Sequence, residues 1–274
     1  MKKLLMIVAA LLIPGHLMAH TTTLIPQVKK DGSNTVKVIH FNPYAGANII
    51  GIRLGVKDTK SLKGLDSIFV IHKGKKRNFN KIAIPDFYTV KDATRETYSI
   101  PVNKKNGFSR AGDYIIVVKH SPHWKKQLGH YKQKLTKSFI NYGGLITDWP
   151  KRVLENEPEI IPLSPPYGIY PGTLFRAEVV NDEGKRIPHA EILIEYLNYS
   201  MGSTALDTRT SLLVNAHLGN TSIFADSNGT FSFIPPKKGV WTFTLVDGDD
   251  NKTIDGEQLS YDSSISIMVH SNKP

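Results

Sequence analysis

The chain contains no cysteine. No disulfide can staple it and no thiolate can hold a metal, so any metal site must use nitrogen and oxygen donors. A lipid-anchored form is excluded for the same reason, because there is no thiol to acylate. Beyond residue 19 no stretch approaches the ~20 uninterrupted apolar residues of a membrane-crossing helix. Acidic residues are scarce: 24 Asp and Glu face 35 Lys and Arg, a formal charge of +11. The patterns Gly-x-Ser-x-Gly, His-Glu-x-x-His and the phosphate loop are absent as well, which removes the commonest hydrolase, zinc-protease and nucleotide readings.

What remains is enough for a folded protein. A chain of 274 residues can bury a real core and divide into two domains. Its apolar, aromatic and charged fractions of 40%, 9% and 22% carry no disorder signature. Met1-Lys2-Lys3 is a short positive n-region, Leu4–Ile13 an apolar core broken by Pro14-Gly15, and Leu17-Met18-Ala19 a cleavage site. Residues 1–19 are thus expected to be a secretory signal peptide cut after Ala19, leaving a soluble, exported protein. Loss of Lys2 and Lys3 lowers the charge from +11 to +9. Export argues against nucleic acid as the acidic partner. The cluster Lys73–Arg77 lacks aromatic interleaving and reads as a charged hairpin tip, and the lysines of Lys125–Lys137 read by the same default as a solvated stretch.

The organising stretch is Lys119-His120-Ser121-Pro122-His123-Trp124, continuing to His130-Tyr131. It follows Tyr114–Val118, an apolar, β-branched run expected to be a buried strand. Pro122 cannot donate to a sheet ladder and ends that strand where the histidines begin. A rigid strand therefore delivers imidazoles, the commonest side-chain ligands of transition metals, to a loop. The loop either helps to bind a metal or is an exposed polar turn with incidental histidines.

Cleavage after Ala19 makes His20 the mature N-terminus. Its α-amine and imidazole can chelate one ion, an arrangement suited to copper or nickel. The amine must lose its proton, and a reference pKa near 8 makes that easy for a strong metal. The alternative is a cleavage site that happens to precede a histidine. His40 shares a face with Val36 and Val38 in the expected strand Thr35–Phe41, and precedes the loop Asn42-Pro43-Tyr44-Ala45-Gly46. The candidate metal ligands are His20, His40, His120 and His123, with His130 in reserve. His72 reads as a surface residue beside the basic hairpin, and His189, His217 and His270 fall in the second domain. Nitrogen-rich ligation fits Ni(II), Co(II) or Cu(II), and copper would outbind nickel in isolation.

Short strands separated by regular turn signals predict an all-β protein with two Ig-like β-sandwich domains in tandem. The expected first sandwich covers 20–157 and begins with an edge strand, Thr21–Gln27. Residues 158–172, with five prolines, read as an extended linker or edge segment. The second sandwich covers 173–274. Ile49–Val56 is another expected strand, and Gln127–Ile140 a helical turn or two.

Gly184–Glu191 and Asp226–Phe233 resemble a carboxypeptidase-regulatory-like or Cna B-type sandwich. The mature chain as a whole resembles the periplasmic accessory proteins of energy-coupling-factor-type nickel and cobalt importers. That resemblance rests on Ala19-His20 with Leu24-Ile25-Pro26, His40-Phe41-Asn42-Pro43, Ser121-Pro122-His123-Trp124 and His130-Tyr131. It continues through Glu159-Ile160-Ile161-Pro162-Leu163-Ser164-Pro165-Pro166-Tyr167, Gly172, Glu195-Tyr196-Leu197-Asn198 and Gly239-Val240-Trp241-Thr242-Phe243. Where the family often carries His-Pro this chain has Asn42-Pro43, and His40, on the same face by period two, could substitute. The resemblance implies a periplasmic protein that captures nickel or cobalt as cargo, is not an enzyme, and serves a membrane-embedded importer. Two other readings stand beside it. One is a copper enzyme with a histidine brace and Tyr131 or Tyr44 as axial group; the other is a structural exported sandwich without metal.

Overall fold

The computed structural model describes residues 21–28, 31–42, 48–49, 64–90, 93–126, 128–197, 220–248 and 251–271. The signal peptide, His20, most of the expected strand Ile49–Val56, Asn198 and His217 lie outside the described residues. The rest is almost entirely β, with no α-helix among the described residues.

In chain order the strands are β1 (Thr21–Val28), β2 (Asn34–Asn42), β3 (Asn48–Ile49), β4 (Leu65–His72), β5 (Lys75–Asn78), β6 (Ile84–Val90) and β7 (Ala93–Pro101). Then come β8 (Gly112–His120), β9 (His123–Lys125), β10 (His130–Tyr142), β11 (Glu159–Pro162) and β12 (Phe175–Val180). The last six are β13 (Glu191–Leu197), β14 (Asn220–Phe224), β15 (Thr230–Phe233), β16 (Gly239–Leu245), β17 (Lys252–Ile254) and β18 (Glu257–Val269).

A ten-stranded sheet, ordered β14-β13-β16-β18-β10-β8-β4-β5 with β9 added on β10 and β17 on β18, runs through both halves of the chain. Its seam is a parallel pairing of β10 with β18, from Tyr131↔Leu259 to Ser138↔Ser266. Alternation gives this sheet two faces with different tasks. One face carries Ile115, Val117, Leu135, Phe139, Trp241, Phe243, Ile265 and Ile267 into a core closed by the three-stranded sheet β11-β12-β15. On the opposite face, Ile68, Val70, Ile116 and Val118 pack under Leu24, Val36, Val38 and Ile100 of the five-stranded sheet built on β1-β2-β7-β6. The two sandwiches therefore share a layer. The segment 158–172 supplies the edge strand β11, with Ile160 and Ile161 buried.

β10 differs from expectation. Gln127–Ile140 forms no helical turn at its centre but a strand from His130 to Tyr142. Nor are its lysines solvated, since Lys132, Lys134 and Lys137 are all buried. Each has an acidic partner far away in sequence. Lys132 and Lys134 lie 3.0 Å and 3.8 Å from Asp262, and Lys137 is paired with Glu159. The Lys73–Arg77 tip is exposed as expected, and its turn is capped by Asp148, which accepts from the Lys73 and Gly74 amides at 2.6 and 3.0 Å.

β1 positions the candidate site. As an edge strand it has a row of outward amides and carbonyls that must find partners. They find hydroxyls on the large sheet. The Leu24 amide donates to Ser266 at 3.2 Å, and Thr136 donates to the Thr22 carbonyl at 3.3 Å. Pro26, two residues beyond Leu24, has no amide to satisfy at that outward-facing position. Even-numbered Thr136, Ser138, Ser264 and Ser266 thus form a polar track in which β1 is seated.

Candidate functional site

β8 ends at His120, which is 7% exposed. The sequence placed this imidazole on a loop; it is instead a buried strand terminus. Its Nε2 lies 2.7 Å from the Thr22 hydroxyl, a contact across 98 residues that joins the start of β1 to the end of β8. The Gly64 carbonyl also accepts from the ring. With the ring N–H on Gly64, the Nε2 lone pair accepts from the Thr22 hydroxyl, so Thr22 must give way before Nε2 can meet a cation. Gln133 donates to the His120 carbonyl at 2.7 Å and fixes the backbone.

His123 opens β9 and stands opposite Lys132 in the β9–β10 register. One step beyond the end of the β8–β10 pairing at Leu135↔Lys119, Lys134 comes level with His120. Asp262 of β18 is the register partner of Lys134. A chain of charges therefore crosses this face, with Lys132 also 3.2 Å from Asp247. Glu195 adds a negative field at Lys134.

The surroundings keep both imidazoles neutral. Burial, with Lys134 and His123 adding to it, pushes His120 down to about 3. Burial followed by the charges of Lys125 and Lys134 pushes His123 down to about 4. Neutral imidazole is the ligating form, so neither ring needs to release a proton at neutral pH before it meets a cation. Burial also lowers Lys134, against the pull of Asp262. Asp262 is buried too, but Lys132 and Lys134 hold its carboxyl below the usual range.

The other candidates are placed as follows. His40 is the antiparallel register partner of Thr22, so its backbone position adjoins the residue that touches His120. His20 lies outside the described residues and directly precedes β1. His130 bonds to Ser260 of β18 at 3.0 Å. It sits four residues down β10 from the level of His120, roughly 13 Å away, and is not brought to it. His72 is half-buried, stacked on Tyr114 at 4.0 Å rather than free at the surface. Among the described residues no three His, Asp or Glu side chains gather closely enough to hold a metal.

Sequence reasoning missed Thr22, Lys132, Lys134 and Asp262. The available signal was the alternation His130-x-Lys132-x-Lys134-x-Thr136-x-Ser138, a polar period of two against Tyr131, Leu135 and Phe139.

His120 should make stability acid-sensitive. Its folded pKa lies below the unfolded value, so the unfolded chain takes the proton first as pH falls. The contribution is complete above about pH 6.5 and is lost towards pH 3, with about 2 kcal/mol gone by about pH 5. Urea unfolding at about pH 7 and about pH 5 measures this loss. His120→Gln should remove its own share, about 2 kcal/mol, and leave the part contributed by His123, because carboxylates titrate lower; an unchanged curve assigns the loss to other groups.

Residues 17–247 match the family model described as a domain of unknown function (DUF4198). No curated protein matches. Among solved structures, the D0-D1 domain of intimin aligns at 9% identity over 91% of this chain and 98% of its own, with a TM-score of 0.21. BcpA, the major pilin subunit of Bacillus cereus, aligns at 9% identity over 93% of this chain and 68% of its own, with a TM-score of 0.19.

Proposed function

The chain belongs to the DUF4198 family, and we propose that its exported form captures a divalent transition metal, nickel or cobalt, and assists uptake by a membrane importer. The metal is cargo and no catalytic step is involved. The observation that carries this reading is the 2.7 Å contact between Thr22 and His120. It seats the start of β1 against the end of β8, beside His120. Cleavage after Ala19 would give His20 a free amine. The donors of this reading are the amine and imidazole of His20 with the rings of His120 and His123, and His40 in the strand beside β1.

The donor chemistry fits. Both described imidazoles are neutral, both have a backbone acceptor on the ring, and no thiolate competes. Lys134 beside them opposes a bare cation, and Asp262 offsets that charge.

The test is nickel titration into the form beginning at His20, compared with Thr22→Val. Loss of the hydroxyl that occupies the Nε2 lone pair of His120 should tighten nickel binding roughly 2- to 10-fold. Unchanged affinity would remove β1 from the site.

A further inference from the structure

The end of the molecule opposite the histidines has a consistent chemistry. β4 ends there at His72, β8 begins at Gly112, β10 ends at Tyr142, β18 ends at Val269 and β16 begins at Gly239. The pairs Tyr142↔Gly112 and Gly239↔Val269 fix this alignment. The described loops leaving this rim are 72–78, 108–113, 141–151, 163–174, 233–239 and 268–271. Among these described residues the acids are Asp113 and Asp148, both buried. Asp113 accepts from Thr147, Asp148, Asn141 and Tyr167, so its charge is consumed internally. Beyond residue 151 come exposed Glu155 and half-buried Glu157, which line one cavity with Lys73, Lys76 and Ile146, and Glu157 is held by Lys119. Lys119 is seven residues along β8 from Gly112, roughly 23 Å from the rim.

Lysine and arginine are exposed on the same loops: Lys73, Lys75, Lys76, Arg110, Lys151 and Lys237. Between them project large apolar side chains, with Tyr142 50%, Leu145 47% and Ile146 54% exposed. Tyr170, Leu174 and Ile234 are exposed on the neighbouring loops. The tip that carries Leu145 and Ile146 is rigid. Asn141 accepts from the Gly144 amide and donates to the Leu145 carbonyl, each at 2.8 Å. Gly143 has φ +70, and a Cβ on it would press on Ala111 at 3.3 Å.

We propose that this rim docks on an anionic phospholipid bilayer, with Tyr142, Leu145 and Ile146 entering the interface and the lysines meeting the headgroups. Apolar tips in a one-signed basic collar are the pattern of interfacial binding, in which both terms are needed for stable attachment. Among the described residues of these loops every exposed charge is positive, which favours an anionic surface over a partner that carries both signs. The inference rests on exposure and charge alone and is independent of metal capture. In this orientation β10, about 40 Å long, holds the histidine end away from the membrane.

The test is co-sedimentation of the form beginning at His20 with vesicles of phosphatidylcholine, with and without phosphatidylglycerol. Binding is expected only to the anionic vesicles. Lys73→Gln/Lys75→Gln/Lys76→Gln should weaken it on the order of a hundredfold. Leu145→Ser/Ile146→Ser, at exposed positions that leave the fold and nickel binding intact, should weaken it roughly tenfold. No sedimentation with anionic vesicles overturns the proposal. So does full binding by the Leu145/Ile146 double variant, which would reduce the effect to the attraction of any basic chain. Failure on lipid combined with photo-crosslinking from position 146 to a membrane protein would assign the rim to a protein partner instead.

Discussion

Replacing Glu159 with alanine is expected to destabilise the fold by about 3–5 kcal/mol, because it strands the buried Lys137 ammonium. The side chains of Glu159 and Lys137 are 0% and 2% exposed, so neither charge can turn to water. Burial already lowers the pKa of Lys137, and Glu159 opposes that shift. The carboxylate does more than pair. Its Oε2 accepts from the Val153 and Leu154 amides at 2.9 and 2.8 Å, tying the 149–157 loop to β11. The double variant Lys137→Met/Glu159→Leu should therefore recover much of the loss but not all of it. It removes the stranded charge and leaves two buried amides without an acceptor, each costing about 1–3 kcal/mol. Urea unfolding of the single and double variants measures both effects. A loss below about 1 kcal/mol for Glu159→Ala would mean that the pair is solvated and that β11 is not anchored through it.

His120→Gln is expected to lower nickel affinity on the order of a hundredfold or more, since it removes a direct ligand rather than a supporting group. His123→Gln should act in the same direction. His130→Gln should leave nickel binding unchanged, because that ring lies four residues down β10 from the level of His120, roughly 13 Å away. The contrast between His120 and His130 is the informative part, since both histidines lie in one short stretch and have the same intrinsic chemistry. Only packing separates them. Loss of affinity in all three variants alike would point to an exposed loop that binds metal without a defined site.

Much of the fold was legible in local pattern. Tyr114–Val118 is flanked on both faces by core, so an unbroken apolar run identified β8. Val36 and Val38 face one core only, and their alternation identified β2. The position of Pro26 correctly indicated that β1 is an edge strand. β10 was not legible. Its lysines look like a solvated stretch because the groups that neutralise them, Asp262 and Glu159, arrive through tertiary pairing. The parallel seam between β10 and β18 joins residues some 128 apart, as in Tyr131↔Leu259, and leaves no local trace. The shared ten-stranded sheet follows from that seam and was hidden with it.

The candidate site divides in the same way. Strand termination by Pro122 placed His120 and His123 together, because a chain stop is a local event. The burial of His120, the Thr22 hydroxyl on its Nε2 and the Lys134–Asp262 pair beside it depend on contacts across 98 and 128 residues. Such contacts cannot be read from spacing. They are also what distinguishes His120 from an incidental loop histidine.

Metal capture at the mature N-terminus is tested most directly by calorimetric titration of Ni(II) into two samples, one beginning at His20 and one with a single extra residue before it. The extra residue leaves every described contact in place and removes only the free amine of His20. Tight one-to-one binding to the first sample, collapsing in the second, is the expected result. Equal binding in both, or no binding in either, would contradict the proposed chelate.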